Sequence, residues 1–266
     1  MAIRSALMNV MIKAARKAAR GLARDFGEVE HLQVSRKGPA NFVTAADLKA
    51  EKILREELAT ARPGYGFLLE EGGEIEGSDK THRWIVDPLD GTTNFLHGLP
   101  HFAISIGLER NGELIAGVIY DPIKDELFSA EKGQGAFLND RRLRVAARAD
   151  LHESLLATGI PFQGRPGHDQ LRQELAVLTE KVAGIRRFGS AALDLAYVAA
   201  GRYDGFWERG LSPWDMAAGV VLVREAGGIV GGIDGKPLNI DGSSILASNE
   251  ALFRPLSKYL SEAKAS

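Results

Sequence analysis

The residues most able to do chemistry lie in one run, Trp84-Ile85-Val86-Asp87-Pro88-Leu89-Asp90-Gly91-Thr92-Thr93-Asn94-Phe95. Trp84, Ile85 and Val86 read as a buried strand over Arg83 to Asp87 that Pro88 breaks. The strand delivers Asp87 and Asp90 on either side of a turn that the proline ring stiffens. Two carboxylates in so short a span can share one divalent cation or bridge two, with the intervening backbone carbonyl as a further oxygen donor. A donor set made only of oxygen suits magnesium or manganese rather than zinc. Gly91 lets the backbone approach a ligand closely. A helix starting at Gly91 or Thr92 would aim free N–H groups at the same place, which is where a phosphate would bind. Taken alone, Asp90-Gly91 serves equally well as a plain turn with Asp90 as an N-cap.

Other acidic elements are weaker by themselves. Leu68-Leu69-Glu70-Glu71-Gly72-Gly73 has the composition of a solvated loop. Ser212-Pro213-Trp214-Asp215 reads as a helix start with Ser212 at N-cap, Pro213 at N1 and Asp215 at N3, so capping alone accounts for Asp215. Thr44 and Asp47 form a similar Thr-x-x-Asp pair. Competing chemistries lack their residues. His97 and His101 stand four apart, but Gly98-Leu99-Pro100 between them cannot be helical, and there is no His-Glu-x-x-His. No Gly-x-Ser-x-Gly elbow or P-loop occurs, Gly133-Gln134-Gly135 lacks a third glycine, and Gly235-Lys236-Pro237 reads as a turn.

The elements that must position these residues follow from hydrophobic period. A first amphipathic helix runs to about Gly27 and a second from Thr44 to about Ala59. From Phe102 the pattern is strand-rich: Ala103 to Glu109, a hairpin turn at Asn111-Gly112, Leu114 to Tyr120, then a pair around Leu127 to Ser129 and Ala136 to Leu138. After Arg144, helices over Asp169 to Val182, Ser190 to Ala200 and Pro213 to Ala226 alternate with short strands near Leu155 to Thr158, Gly205 to Trp207 and Gly228 to Val230. That alternation predicts α/β layering. No repeat or long linker appears, so we expect one domain over 1–266 with two lobes, about 1–145 and about 146–266, and a site between them.

With 266 residues, 45% hydrophobic and 26% charged, the chain can bury a large core. A formal charge of -2 leaves no footprint for direct nucleic-acid binding. The absence of cysteine removes thiolate chemistry and suits the cytoplasm. No apolar run is long enough to span a bilayer, so no membrane association is expected. Arg4, Lys13, Arg16, Lys17, Arg20 and Arg24 precede the first acid, Asp25, a pattern shared with transit peptides and membrane-surface helices. Leu7, Val10, Met11 and Ala14 at helical spacing favour an ordinary amphipathic helix with a basic solvated face.

In combination the motifs resemble the inositol monophosphatase family, in its bacterial, extragenic-suppressor-type branch, over nearly the whole chain. The resemblance rests on Val43-Thr44-Ala45-Ala46-Asp47, Glu70-Glu71, Asp87-Pro88-Leu89-Asp90-Gly91-Thr92-Thr93-Asn94, and the helix from Trp214-Asp215 to Glu225-Ala226-Gly227-Gly228. It implies the layered αβαβα sandwich of the sugar phosphatases, a homodimer, and a magnesium-dependent, lithium-sensitive phosphomonoesterase acting on inositol 1-phosphate or a similar polyol or sugar phosphate. Relatives in the same fold act on fructose bisphosphate, histidinol phosphate or adenosine bisphosphate, and bacterial relatives suggest a partner in the transcription machinery. By the same resemblance, Glu70, Asp87 and the Leu89 carbonyl bind a first magnesium, Asp87, Asp90 and Asp215 a second, with a third, weaker ion near Glu70. Asp47 and Thr92 orient and deprotonate the attacking water, with Glu70 at the same catalytic centre. Gly91 and Thr92 contact the phosphate through backbone amides, and Asp90, Gly189, Ser190, Ala191, Glu208 and Asp215 meet the substrate. Lys37 matches a basic position near the site, and Arg187 is a candidate for substrate selection or subunit contact. The chain departs from the family in one place, with Leu69-Glu70-Glu71 where Gly-Glu-Glu is usual.

Overall fold

The computed structural model describes residues 4–28, 34–38, 41–242 and 244–263, with only the backbone of 34–38 and 41–43. Lys37, as a side chain, lies outside the described residues.

Helix α1 (Ala6–Phe26) starts where the Ser5 hydroxyl accepts the Met8 N–H. Its apolar face buries Met8, Met11, Ile12, Ala15 and Leu22, while Lys13 and Lys17 lie outward and pair with Glu57 at 3.0 and 2.6 Å. Glu57 belongs to α2 (Ala45–Ala61), which packs alongside α1. The basic N-terminal segment is therefore an amphipathic helix docked on the core, as its spacing predicts.

Both helices cover one face of an eight-stranded sheet, in the order β10-β9-β8-β7-β6-β5-β3-β4. Its strands are β3 (Tyr65–Leu69), β4 (Gly73–Ile75), β5 (Asp79–Asp90), β6 (Ala103–Arg110), β7 (Glu113–Asp121), β8 (Glu126–Glu131), β9 (Gly135–Leu138) and β10 (Arg141–Arg142). A separate two-stranded ribbon, β1 (Val34–Gly38) and β2 (Asn41–Thr44), leads into α2. The expected hairpin is present: Asn111 and Gly112 both take positive φ, 51° and 77°, which a two-residue turn between twisted strands requires.

The opposite face of the sheet is covered by α6 (Pro213–Glu225), beside α5 (Ala191–Ala199). Both helices are apolar almost all round because they form the middle layer. On their far side lies a five-stranded sheet, β12-β11-β13-β15-β14, made of β11 (Leu155–Thr158), β12 (Gly184–Arg186), β13 (Gly205–Arg209), β14 (Ile229–Gly231) and β15 (Ser244–Ser248). Helices α4 (His168–Leu178) and α7 (Glu250–Glu262) close the outer side, where Leu178, Leu252, Leu256 and Leu260 pack with Trp207. The layers run α, β, α, β, α, as expected.

Several boundaries differ from the sequence reading. Strand β5 does not end before Pro88 but continues to Asp90. Helix α4 ends at Leu178 rather than Val182, because Ala183 donates to the Ser154 carbonyl and the chain enters edge strand β12. Pro255 lies midway along α7, where the buried leucine stripe outweighs one missing N–H.

Candidate active site

Partner registers show how β5 presents two carboxylates together. Asp87 lies opposite Ser105 and Asp90 opposite Ala103, so three steps along β5 face two along β6. Residues three apart on a regular strand point to opposite faces. The extra residue is a β-bulge at Pro88-Leu89, which carries no demand on a proline N–H and brings both aspartates to one side. The Asp87 Oδ1 accepts the Leu89 N–H at 2.8 Å, fixing the turn.

After the bulge, Gly91 takes φ 97° and precedes the short helix α3 (Thr92–Leu96). A Cβ there would sit 3.0 Å from the His101 carbonyl and 3.2 Å from the Phe102 Cβ, so glycine is required by conformation and by space. Asn94, in this helix, donates to the carbonyls of His101 at 2.8 Å and Phe188 at 2.7 Å. It joins the aspartate loop to the segment that precedes α5.

Asp47 is fully buried at N3 of α2. Its Oδ2 accepts the Thr44 N–H at 2.9 Å and the Thr44 hydroxyl, completing a capping box. Its Oδ1 faces the Thr92 hydroxyl at 3.1 Å. The Thr92 Oγ1 is also 3.0 Å from the Leu89 carbonyl, and with one proton it serves one acceptor at a time. Burial raises the Asp47 pKa, against the opposing hydrogen bonds from Thr44 and Thr92.

Glu70 lies in the turn between β3 and β4, where its N–H donates to the Val86 carbonyl at 3.2 Å, one residue from Asp87. Leu69, in place of the usual glycine, is buried and pairs with Val86, so the departure is absorbed by the core. Asp215 stands at N3 of α6, with Oδ2 accepting the Ser212 N–H at 2.7 Å. Asp87, Asp90 and Asp215 each offer a carboxylate oxygen, all within 4.8 Å of one another.

Such crowding is costly without a countercharge. Burial, then Glu70, Asp90 and Asp215, push the Asp87 pKa well up. Burial is also the chief cause at Asp90, raised to about 6, and at Asp215, raised to about 8, where the Asp90 charge adds to it. A set of converging oxygens with no nitrogen or sulfur donor could hold a hard divalent metal ion, and its positive charge would relieve this repulsion.

The far wall comes from the second sheet and α5. Ser190 is the N-cap of α5, and its hydroxyl donates to Asp90 Oδ2, as does the Ala192 N–H at 2.8 Å. Glu208, near the end of β13, has its pKa pushed up to about 8 by burial, then by Asp215 and Asp90, against the Arg187 charge. Its carboxylate occupies the space over Gly159, where a Cβ would lie 1.9 Å from Glu208 Oε1.

A cavity of about 390 Å³ is lined by Glu70, Asp87, Leu89, Asp90, Gly91, Thr92, Gly189, Ser190, Ala191, Glu208, Asp215 and Arg187. Asp47 reaches it through Thr92. Sequence reasoning assigned no role to Asn94, Glu51 or Gly159. Asn94 sits inside the quoted motif, and Glu51 follows Asp47 by one helical turn. Gly159 lies on the wall after β11, where a pattern of types carries no signal.

A profile of the inositol monophosphatase family matches residues 4–265. An inositol-1-monophosphatase of Mesorhizobium japonicum is 60% identical over 255 residues, covering 96% of each chain. The Nus factor SuhB of Pseudomonas aeruginosa is 45% identical over 94% of each. The crystal structure of extragenic suppressor protein suhB from Bartonella henselae, 58% identical, superposes with a TM-score of 0.95 over 98% of this chain and 100% of that one.

Proposed function

The chain belongs to the inositol monophosphatase family, and from that premise we propose that it hydrolyses inositol 1-phosphate, or a similar polyol phosphate, with magnesium held by Glu70, Asp87, the Leu89 carbonyl, Asp90 and Asp215. The observation that carries this reading is the convergence of Asp87, Asp90 and Asp215 in a cavity also lined by Glu208 and the start of α5. Two magnesium ions, with a third more weakly held near Glu70, fit the number of acids.

When bound, magnesium supplies Lewis-acid polarisation of the phosphoryl group and neutralises the charge that develops on it. The chain's own residues do the rest. Thr92 Oγ1 donates to Asp47 Oδ1 and accepts from a water, so the water's proton passes toward Asp47. A buried Asp47 with a raised pKa is suited to receive it. Backbone amides of Gly91 and Thr92 face the phosphate. Asp90, Ser190, Ala191 and Glu208 meet the polyol hydroxyls, with Gly189 giving the backbone its bend at φ 83°. Arg187, on the same wall, reads the substrate's charge.

Phosphate release from inositol 1-phosphate, with magnesium titrated and lithium then added, tests the reading. Magnesium-dependent, lithium-sensitive turnover is expected. Turnover unaffected by magnesium removal overturns the metal assignment, and metal binding without release moves the search to other phosphate esters.

We take the protein to work in the cytoplasm as a homodimer. Leu99 and Phe188 are exposed apolar side chains, Phe188 beside the His101 ring, and are available for contact with a second copy. Among the described residues no helix is long and apolar enough to cross a membrane. The likeness to a Nus factor supports a second role, as a binding partner in transcription. An inactive Asp215→Asn chain that rescues a deletion strain would establish that role, and failure to rescue would assign the phenotype to chemistry.

A further inference from the structure

Helix α2 carries two buried carboxylates one turn apart, Asp47 and Glu51, at 0% and 7% exposure. Asp47 serves Thr92. Glu51 reaches the other side of the site, where its Oε2 accepts the Glu71 N–H at 2.8 Å. The residue before, Glu70, is tied by its own N–H to Val86 in β5. The turn bearing Glu70 is thus held from two directions, by the sheet at Glu70 and by α2 at Glu71. Gly72 keeps the approach close: a Cβ on it would stand 3.0 Å from Glu51 Oε1 and 3.1 Å from Leu69 Cδ1. Burying a carboxylate is costly, and a backbone N–H offsets that cost while gaining direction from the charge.

We propose that Glu51 is a positioning residue for the cation site, clamping the Glu70-Glu71 turn so that α2 sets the spacing between the Asp47–Thr92 pair and Glu70. This rests on the magnesium reading above. Residues i and i+4 of a helix face the same way at a fixed separation. The acid that receives a proton and the acid that holds the metal-binding turn are therefore registered on one rigid body. Residues that orient metal ligands typically alter affinity by about 10–100-fold when removed.

The test uses the full chain, freed of metal. Magnesium affinity by titration calorimetry and hydrogen exchange at the Glu71 amide are measured for wild type, Glu51→Ala and Glu51→Gln. Glu51→Ala is expected to weaken magnesium by about 10-fold or more and to speed exchange at Glu71. Glu51→Gln, whose amide oxygen can accept the same N–H, should restore both to near wild type. Wild-type affinity and exchange in Glu51→Ala would overturn the proposal, as would a Glu51→Gln variant no better than Glu51→Ala. If Glu51→Ala does not fold, Glu51→Asp, whose carboxylate is one methylene short of the Glu71 N–H, should weaken magnesium and speed exchange at Glu71 in the same way, and unchanged binding and exchange there overturn the clamp. A wild type that binds no magnesium would defeat the functional reading instead, while exchange at Glu71 would still decide whether Glu51 holds the turn.

Discussion

Glu208 and Gly159 show how one missing side chain shapes the substrate wall. The carboxylate of Glu208 fills the volume that any Cβ at residue 159 would need. Gly159→Ala must therefore push Glu208 out of place, and the damage should fall on recognition of substrate hydroxyls rather than on phosphate chemistry. We expect KM for inositol 1-phosphate to rise by about 10-fold or more, the scale of one broken hydrogen bond to a charged group. Turnover of an aryl phosphate, which has no polyol hydroxyls, should change little. Steady-state kinetics on the two substrates checks this, and equal losses on both would show that the substitution damages the acidic cluster instead.

At the scale of elements, the position of Asp215 depends on how closely α6 approaches the large sheet. Gly107 in β6 and Gly117 in β7 are direct cross-strand partners. A Cβ on Gly107 would come within 2.7 Å of the Ala217 Cβ, and one on Gly117 within 2.4 Å of the Ala218 carbonyl oxygen. The pair forms a shallow seat for the helix two and three residues beyond Asp215, and the Ser105 hydroxyl adds a bond to the Trp214 carbonyl at 3.2 Å. Gly117→Ala meets backbone that cannot swing away, so α6 must lift. The expected cost is about 3 kcal/mol, at the upper end of overpacking effects, together with weaker magnesium binding because Asp215 moves with its helix. Denaturant unfolding and calorimetry would show both, and unchanged stability would mean that the layers are more loosely packed than these distances require.

The acidic cluster also acts on the whole molecule. In the unfolded chain these carboxyls titrate at about 4, as ordinary Asp and Glu do in water. In the folded chain Asp90 titrates at about 6 and Asp215 and Glu208 at about 8, with Asp87 raised as well. Between these limits the folded state holds more protons than the unfolded, so stability falls as pH rises. The contribution is complete below the unfolded pKa and is lost as pH passes through about 6 to 8. Metal-free protein should therefore melt lower at pH 8 than at pH 5, by roughly 5 °C or more for a chain of this size. Saturating magnesium should remove most of the difference, since a bound cation replaces the protons. Thermal melts with and without chelator decide the matter, and a metal-free Tm that rises with pH would contradict the raised carboxyl pKa values.

Much of this protein is written in its residue order. The amphipathic α1, the Asn111-Gly112 hairpin and the starts of α2, α5 and α6 follow from local period and capping, because those signals act within a few residues. The acids at 70, 87, 90 and 215 are also legible as types in motifs. Their convergence is not, since it depends on a bulge that only the pairing of β5 with β6 creates, and on a helix from the far half of the chain settling over two glycines. Strand β12 and the shortened α4 were hidden for the same reason: an edge strand is defined by its neighbour β11 rather than by its own three residues. Gly159 carries no local mark at all, and Glu51 only its spacing of one helical turn after Asp47. What each does depends on a partner far along the chain, Glu208 for the first and Glu71 for the second, and such pairs meet only once the layers have packed.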